Sequence, residues 1–297
     1  MTAIRTVGVL GCGLMGSGIA QTTAAAGYRT VVRDTSDEVL RKGREAIERP
    51  LGKLVDKGTL AAPDREAALG RLAFVTALEA VGEADLVIEA VPEDLALKNR
   101  LWRELDGLCP AATIFASNTS SLRIGAQAAA TSRPDRFVGL YFFNPVPLMP
   151  LVEVVRGSAT SAETFDQAMA FARSLGKEAV VSSDTSGFLV NRLLVPYLLD
   201  AVRAFESGTG SIADLDTAMR LGCGHPMGPF TLLDLVGLDT VMRIAGIMLE
   251  EYGEPRFAPP PLLRRLVAAG HYGRKSGRGF YDYSVSPPRP VAVSSEQ

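Results

Sequence analysis

The segment TVGVLGCGLMGSGIAQTTAAAGY sets Gly11, Gly13 and Gly16 between an apolar β-branched run and a helical pattern. That order suits a dinucleotide pyrophosphate: Gly11 permits a tight turn out of the strand, Gly13 lets the backbone approach the phosphates, and Gly16 lets the helix pack against the strand. Leu14 and Met15 open the helix, whose unsatisfied N–H groups and positive dipole end attract an anion. A glycine triplet alone is weak evidence, but a second strand-like run, RTVVRD, ends in Asp34, 18 residues after Gly16. An acid there accepts hydrogen bonds from an adenosine ribose and repels a 2′-phosphate, which favours NAD. Arg33 could pair with a phosphate, yet strand alternation turns its side chain to the face opposite Asp34.

Other reactive side chains point to less. Glu89 and Glu93 form an acid pair at helical spacing, but they fall at a strand end and the loop after it, which does not suit a glycosidase dyad. Cys12, Cys109 and Cys223 are odd in number, far apart and not spaced as zinc ligands, so a reducing compartment, no metal and three small buried thiols are expected. The two histidines are His225 and His271, and His225, in GHPMGP, reads as structural. The GRKSGR run is the only dense basic patch and reads as a solvated turn.

The elements that must position these groups come in two styles. The runs TVGVL, RTVVRD, DLVIEAV, TIFAS, RFVGLYF and EAVVSS alternate with helix-length segments, the pattern of a parallel α/β sheet. Residues 35–72 are too long for a simple crossover and predict an appended arm of two charged amphipathic helices, bent at Lys57-Gly58. From about residue 185 the spacing of apolar residues becomes helical, with Ser211 as an N-cap and Pro196 kinking the first helix. The expected organisation is an α/β Rossmann-type NAD-binding domain over 1–184, an all-helical domain over 185–283 and a disordered Pro/Ser-rich tail over 284–297.

At 297 residues, 47% hydrophobic and 22% charged, the chain is long enough for two ordinary globular cores. A formal net charge of -2 gives no electrostatic reason for a nucleic-acid partner. No signal-peptide pattern opens the chain and no apolar stretch reaches the roughly 18 residues that span a bilayer, so no membrane association and a cytoplasmic location are expected.

Three further stretches, NTSSL at 118–122, FFNPVPLMPLVEV at 142–154 and GFLVNRLLVPYLLDA at 187–201, join GHPMGPFTLLDLVGLDT and GRKSGRGFYDY in a wider pattern. Together they resemble the 3-hydroxyacyl-CoA dehydrogenases, of the short type that includes 3-hydroxybutyryl-CoA dehydrogenase, over residues 5 to about 283. The resemblance implies NAD as cofactor, an acyl thioester substrate and a homodimer formed through the helical domain. Carried over by position, Glu93 and Lys98 line the nicotinamide side and Asn118 contacts the nicotinamide end. Ser120 and Asn144 meet the substrate's reacting oxygen or the catalytic side chain, Glu153 is the carboxylate partner of the catalytic residue, and Asn191 closes the site from the second domain.

Two positions depart from the pattern. Where the family has GLHFFNP this chain has GLYFFNP, so Tyr141 replaces the catalytic histidine. On the arm, Pro50 stands where relatives can place a serine against CoA, while Lys57 is retained as a substrate contact. Oxidation of a 3-hydroxyl needs a base for the hydroxyl proton as the hydride leaves C3, and an imidazole with pKa near 6.5 suits that task. A phenol with pKa near 10 costs roughly 4 kcal/mol to ionise at pH 7. A neighbouring Glu153 carboxylate would raise that cost. Three outcomes follow: Tyr141 donates a proton in the reductive direction or loses it in concert with hydride departure; Glu153 or its water becomes the base; or catalysis is lost and an NAD- and acyl-thioester-binding protein remains. Tyr141 as mere aromatic packing stands beside these. The expected function is an NAD-dependent dehydrogenase of a 3-hydroxyacyl-CoA or of a carrier-protein-bound equivalent such as glyceryl-ACP in polyketide extender-unit formation.

Overall fold

The structure is a computed structural model and describes residues 4–291. The chain divides into two compact units between Phe188 and Leu189, four residues beyond the expected boundary at 184.

The first unit is an eight-stranded sheet in the order β3-β2-β1-β4-β5-β6-β7-β8. Its strands are β1 (Thr6–Leu10), β2 (Arg29–Arg33), β3 (Leu72–Val75), β4 (Leu86–Glu89), β5 (Ile114–Ser117), β6 (Phe137–Phe142), β7 (Leu151–Arg156) and β8 (Glu178–Ser183). The helices are α1 (Leu14–Ala25), α2 (Asp37–Asp56), α3 (Ala62–Gly70), α4 (Leu95–Leu108), α5 (Ile124–Ala128) and α6 (Ala162–Ser174). Both faces of the sheet are covered. Val9, Ile88, Leu140 and Val154 lie in one apolar cluster and Leu10, Val87, Phe115 and Val155 in another, which is why these strands read as near-continuous apolar runs.

Two strands are additional to the six runs read in the sequence, and one pairing corrects the all-parallel expectation. LAFV forms the edge strand β3, too short and half-exposed to stand out. LVEVVR forms β7, which pairs antiparallel with β6. Residues 143–150 join them directly, and a link that short cannot carry a parallel crossover.

The arm is α2 and α3. Ser36 caps α2 by accepting from the Val39 N–H, and ion pairs Lys42–Glu38, Arg41–Glu45 and Arg44–Glu48 run along its exposed side. Lys57 ends the helix and Gly58, with φ +70°, turns the chain toward α3. Pro50 and Lys57 are both exposed.

The second unit holds α7 (Val190–Glu206), α8 (Ile212–Gly222), α9 (Pro229–Val236), α10 (Leu238–Tyr252) and α11 (Pro261–Ala268) around Leu198, Leu199, Phe230, Leu238, Met248 and Phe257. Ser211 caps α8 by accepting from the Asp214 N–H. Helix α7 runs on through Pro196 to Glu206, so the proline does not end it. The tail differs from expectation as far as it is described. Its Arg289–Pro290 (β10) pairs antiparallel with Tyr281–Asp282 (β9), and the Val291 N–H reaches the Phe280 carbonyl at 2.9 Å. A two-residue pairing across a proline-rich loop leaves no periodicity to read. Residues 292–297 lie outside the described residues.

Two buried aspartates hold the glycine-rich motifs of this unit. Asp216 accepts from the N–H groups of Phe230 and Thr231 at the start of α9, from the Thr231 hydroxyl and from the Tyr281 hydroxyl. Asp234 accepts from the N–H groups of Phe280 and Tyr281 and from the Tyr283 hydroxyl. Asp234→Ala strands three donors that the fold has desolvated, so thermal unfolding should show a loss of about 2–4 kcal/mol.

Candidate functional site

The glycine loop takes the form its sequence predicts. Gly11 has φ +89°, and a Cβ there would sit 2.7 Å from the Ala90 carbonyl oxygen. A Cβ on Gly16 would lie 1.7 Å from the Gly11 carbonyl oxygen, so this glycine serves the loop's closure on itself more than packing of helix on strand. Nothing lies within 4 Å of a Cβ on Gly13, and α1 begins there without a side-chain cap. An open backbone cradle at an uncapped helix N-terminus is the donor set a pyrophosphate needs. Leu14 is 72% exposed beside it, while Met15 packs onto the core.

Asp34 follows β2 and accepts from the Cys12 N–H at 2.7 Å through one oxygen and from the Thr35 N–H at 2.7 Å through the other. It thus fastens the glycine loop and keeps lone pairs for a ribose. Arg33 turns away and donates to the Thr76 carbonyl. Burial pushes the Cys12 thiol up to about 11, with Asp34 adding to the shift, and burial likewise lifts Cys109 to about 11. Neither is a thiolate at neutral pH. Cys223 is exposed, contrary to expectation, because it falls at the end of α8 rather than on its packed side.

At the ends of β4 and β5 a buried ionic chain organises the next loop. The Lys98 ammonium lies 2.6 Å from Glu89 and 3.1 Å from Glu93. Glu89 also accepts from the Val91 N–H and from the Ser117 hydroxyl. Glu93 accepts from the Thr119 hydroxyl, from the Ser120 N–H at 3.1 Å and from the Ser121 hydroxyl at 3.1 Å. Burial pushes the Glu89 carboxyl above its usual range despite Lys98, Ser117 and Val91. Burial also pushes on Glu93, but Lys98 and its hydroxyl donors outweigh it and hold that carboxyl below the usual range. From the sequence, Glu93 and Lys98 are expected at the nicotinamide side and Glu89 has no assigned role. Lys98 is 1% exposed, its charge committed to two carboxylates, so what it orients is Glu93 and the 119–121 loop. A lysine nine residues after a strand-end acid, on the first turn of the next helix, is the one signal that could have linked it to Glu89.

Asn118, just after β5, accepts from the Phe142 N–H at 2.9 Å, leaving its amide nitrogen as the group it can present. That bond joins the 118–121 loop to the end of β6, where Tyr141 and Glu153 are directly opposed partners across the antiparallel pair. Their side chains therefore share one face of the sheet. Glu153 is buried, Tyr141 is half-buried, and the tyrosine ring lies 4.6 Å from Phe143 and 5.9 Å from Phe188. Phe142 faces the other cluster, so the ring's aromatic neighbours are Phe143 and Phe188. Ser120 is half-buried and Asn144 exposed on the 143–150 loop. Asp184, absent from the sequence reading, caps α5 by accepting from the N–H groups of Ile124 and Gly125 at 2.7 Å each.

In the second unit Asn191 is buried on the first turn of α7. The Tyr197 hydroxyl lies 3.3 Å from Nδ1 of His225. GRKSGR forms a turn in which Lys275 pairs with Asp239. Among the described residues no cluster of three or more His, Cys, Asp or Glu could hold a metal ion, and no helix is long and apolar enough to cross a membrane.

A Rossmann-type sheet with an open glycine cradle, an acid at the end of β2 and a separate helical unit defines a dinucleotide-dependent oxidoreductase. Residues 6–185 match the family described as "3-hydroxyacyl-CoA dehydrogenase, NAD binding domain" and residues 187–283 its "C-terminal domain". The chain belongs to the 3-hydroxyacyl-CoA dehydrogenase family and is an NAD-dependent oxidoreductase. It is 49% identical over 284 residues to "3-hydroxybutyryl-CoA dehydrogenase" of Mycobacterium tuberculosis, covering 95% of this chain and 99% of that one. To the human "Hydroxyacyl-coenzyme A dehydrogenase, mitochondrial" it is 49% identical over 287 residues, covering 94% and 91%. The crystal structure of FadB2 from M. tuberculosis superposes with a TM-score of 0.93 at 48% identity, covering 95% of this chain and all of that one.

Proposed function

We propose that this chain interconverts a 3-hydroxyacyl thioester and its 3-keto form, with Tyr141 in the place of the family's proton-accepting histidine. The observation that carries this reading is the opposition of Tyr141 and Glu153 across β6 and β7, beside the Asn118–Phe142 bond. NAD, when bound, accepts the hydride from C3. The Gly11–Gly16 loop and Leu14 and Met15 at the start of α1 hold the pyrophosphate, Asp34 the adenosine ribose, and Glu93, Lys98 and Asn118 order the nicotinamide end. Ser120 and Asn144 bind the substrate around its reacting oxygen, and Asn191 keeps the substrate-binding role that the family resemblance gives it. In reduction, the Tyr141 O–H gives its proton to the carbonyl oxygen as C3 gains the hydride, and water restores the phenol. That transfer leaves a transient phenolate beside a carboxylate, but at neutral pH the tyrosine rests as the phenol, the form that reduction consumes, whereas oxidation must start from the scarce phenolate, so the keto thioester is taken as the substrate.

A carrier-protein tether is favoured by the arm. Pro50 offers no hydroxyl or N–H where relatives can place a serine against CoA, while Lys57 stays exposed for a phosphate or an acidic carrier. A glyceryl primary alcohol would also leave more room for the Tyr141 ring. The same reading includes a homodimer and a cytoplasmic location. The test is a panel of 3-hydroxybutyryl-CoA, acetoacetyl-CoA and glyceryl-carrier protein, followed by the NADH absorbance band. Turnover of the carrier substrate alone places the tether on a protein, turnover of the CoA esters alone removes it, and NADH binding without turnover of any leaves a binding protein.

A further inference from the structure

The β6–β7 link, residues 143–150, carries Asn144 yet is a mostly exposed loop: Leu148 is 77% exposed and Met149 36%. Only Val146 is buried, in the core cluster that includes Ile19 of α1. On that side the fit is close, since a Cβ on Gly18 of α1 would lie 2.9 Å from the Val146 Cβ. The loop turns on its own Pro145 carbonyl, which accepts from the N–H groups of Leu148 and Met149 at 3.0 Å each.

Lys177, between α6 and β8, fastens the other side. It is 8% exposed, and its ammonium donates to the Val146 carbonyl at 2.7 Å and the Met149 carbonyl at 2.8 Å. The next residue repeats the attachment, the Glu178 N–H donating to the Pro150 carbonyl at 2.7 Å. Among the described residues no ion pair includes Lys177, and burial holds its pKa below the usual lysine range. Desolvating an ammonium with no counter-charge is costly, and an aliphatic side chain would fill the space without that cost. What the ammonium provides is a pair of directional, charge-assisted bonds to two carbonyls three residues apart in one loop.

We propose that Lys177 is a positioning residue of the redox reaction: by clamping the Val146 and Met149 carbonyls it fixes the 143–150 loop against α1 and thereby the placement of Asn144. This rests on the substrate-binding role given to Asn144 above. A misplacement of about 1 Å in a binding group costs on the order of 10²-fold in rate, which sets the scale expected when the clamp is lost.

The test compares Lys177→Met and Asn144→Ala with the unaltered enzyme, using acetoacetyl-CoA and NADH as probes. In Lys177→Met, kcat should fall about 10-fold or more, NADH affinity by fluorescence should stay within about 2-fold, and amide exchange of Leu148 and Met149 should accelerate. Unchanged kcat, or a loss of kcat that comes with lost NADH binding in a folded variant, overturns the proposal. If Lys177→Met is normal while Asn144→Ala is impaired, the clamp alone is wrong. If Asn144→Ala keeps full activity, the role of Asn144 fails and takes the clamp's function with it. Should Lys177→Met not fold, Lys177→Arg keeps the cation but changes its reach, and a smaller loss of kcat with faster loop exchange is then expected; no change in either refutes the clamp.

Discussion

Tyr141→His is expected to raise oxidation of 3-hydroxybutyryl-CoA at neutral pH by about 10²-fold or more, the ordinary worth of a well-placed general base. The position already faces Glu153 across the β6–β7 pair, so a histidine inherits a carboxylate on its own face of the sheet that can orient the ring and stabilise its cation. The native phenol meets that same carboxylate as an obstacle to ionisation in both directions, and because the equilibrium constant is fixed, kcat/KM for reduction of acetoacetyl-CoA should rise by the same factor as kcat/KM for the oxidation. Tyr141→Phe completes the argument. Removing only the hydroxyl should cut acetoacetyl-CoA reduction by about 10²-fold if the phenol delivers the proton. If instead Tyr141→Phe reduces as fast as the unaltered enzyme, the ring is packing against Phe143 and Phe188 and the proton comes from elsewhere.

The parts of this molecule that were legible in its sequence are those governed by local rules. The glycine loop needs particular backbone conformations at Gly11 and Gly16, Ser211 caps the residue three further on, and the arm shows its helices through charge pairs four apart. What escaped depends on pairs distant in the chain. β3 is an edge strand with little burial to pattern it, and β7 is recognisable only through its antiparallel partner β6. Glu89 read as an idle strand-end acid because its meaning lies in Lys98 on the next helix and Ser117 on the next strand. Asp184 caps a helix sixty residues earlier, and Asp234 holds a segment more than forty residues later. Nothing in the local composition at either aspartate announces such a partner.

The buried ionic chain under the 119–121 loop yields the second large effect. In Lys98→Met the stem is replaced by a side chain of similar length, but Glu89 and Glu93 lose the cation they share. Leaving buried charge uncompensated costs about 3–5 kcal/mol, so denaturant unfolding near pH 7 should show a loss of that order. Activity should fall with it, because Glu93 is the acceptor for Thr119, Ser120 and Ser121. The deficit should also shrink as the pH is lowered toward the unfolded glutamate pKa of about 4.3 and on below it, for two reasons of the same sign. In the native enzyme Glu93 is held below the usual range, so its stabilising contribution is present above the unfolded pKa and is lost as pH falls through the folded one. In the variant that cation is gone and burial dominates both carboxyls. Their folded pKa values then rise, and folding takes up protons and gains stability as the pH falls. Adding Glu89→Gln to Lys98→Met removes one of the two stranded charges and should recover part of the neutral-pH loss. A deficit that is flat between pH 7 and pH 5, or a double variant less stable than the single one, would show that the lysine stem rather than its charge holds this corner of the sheet.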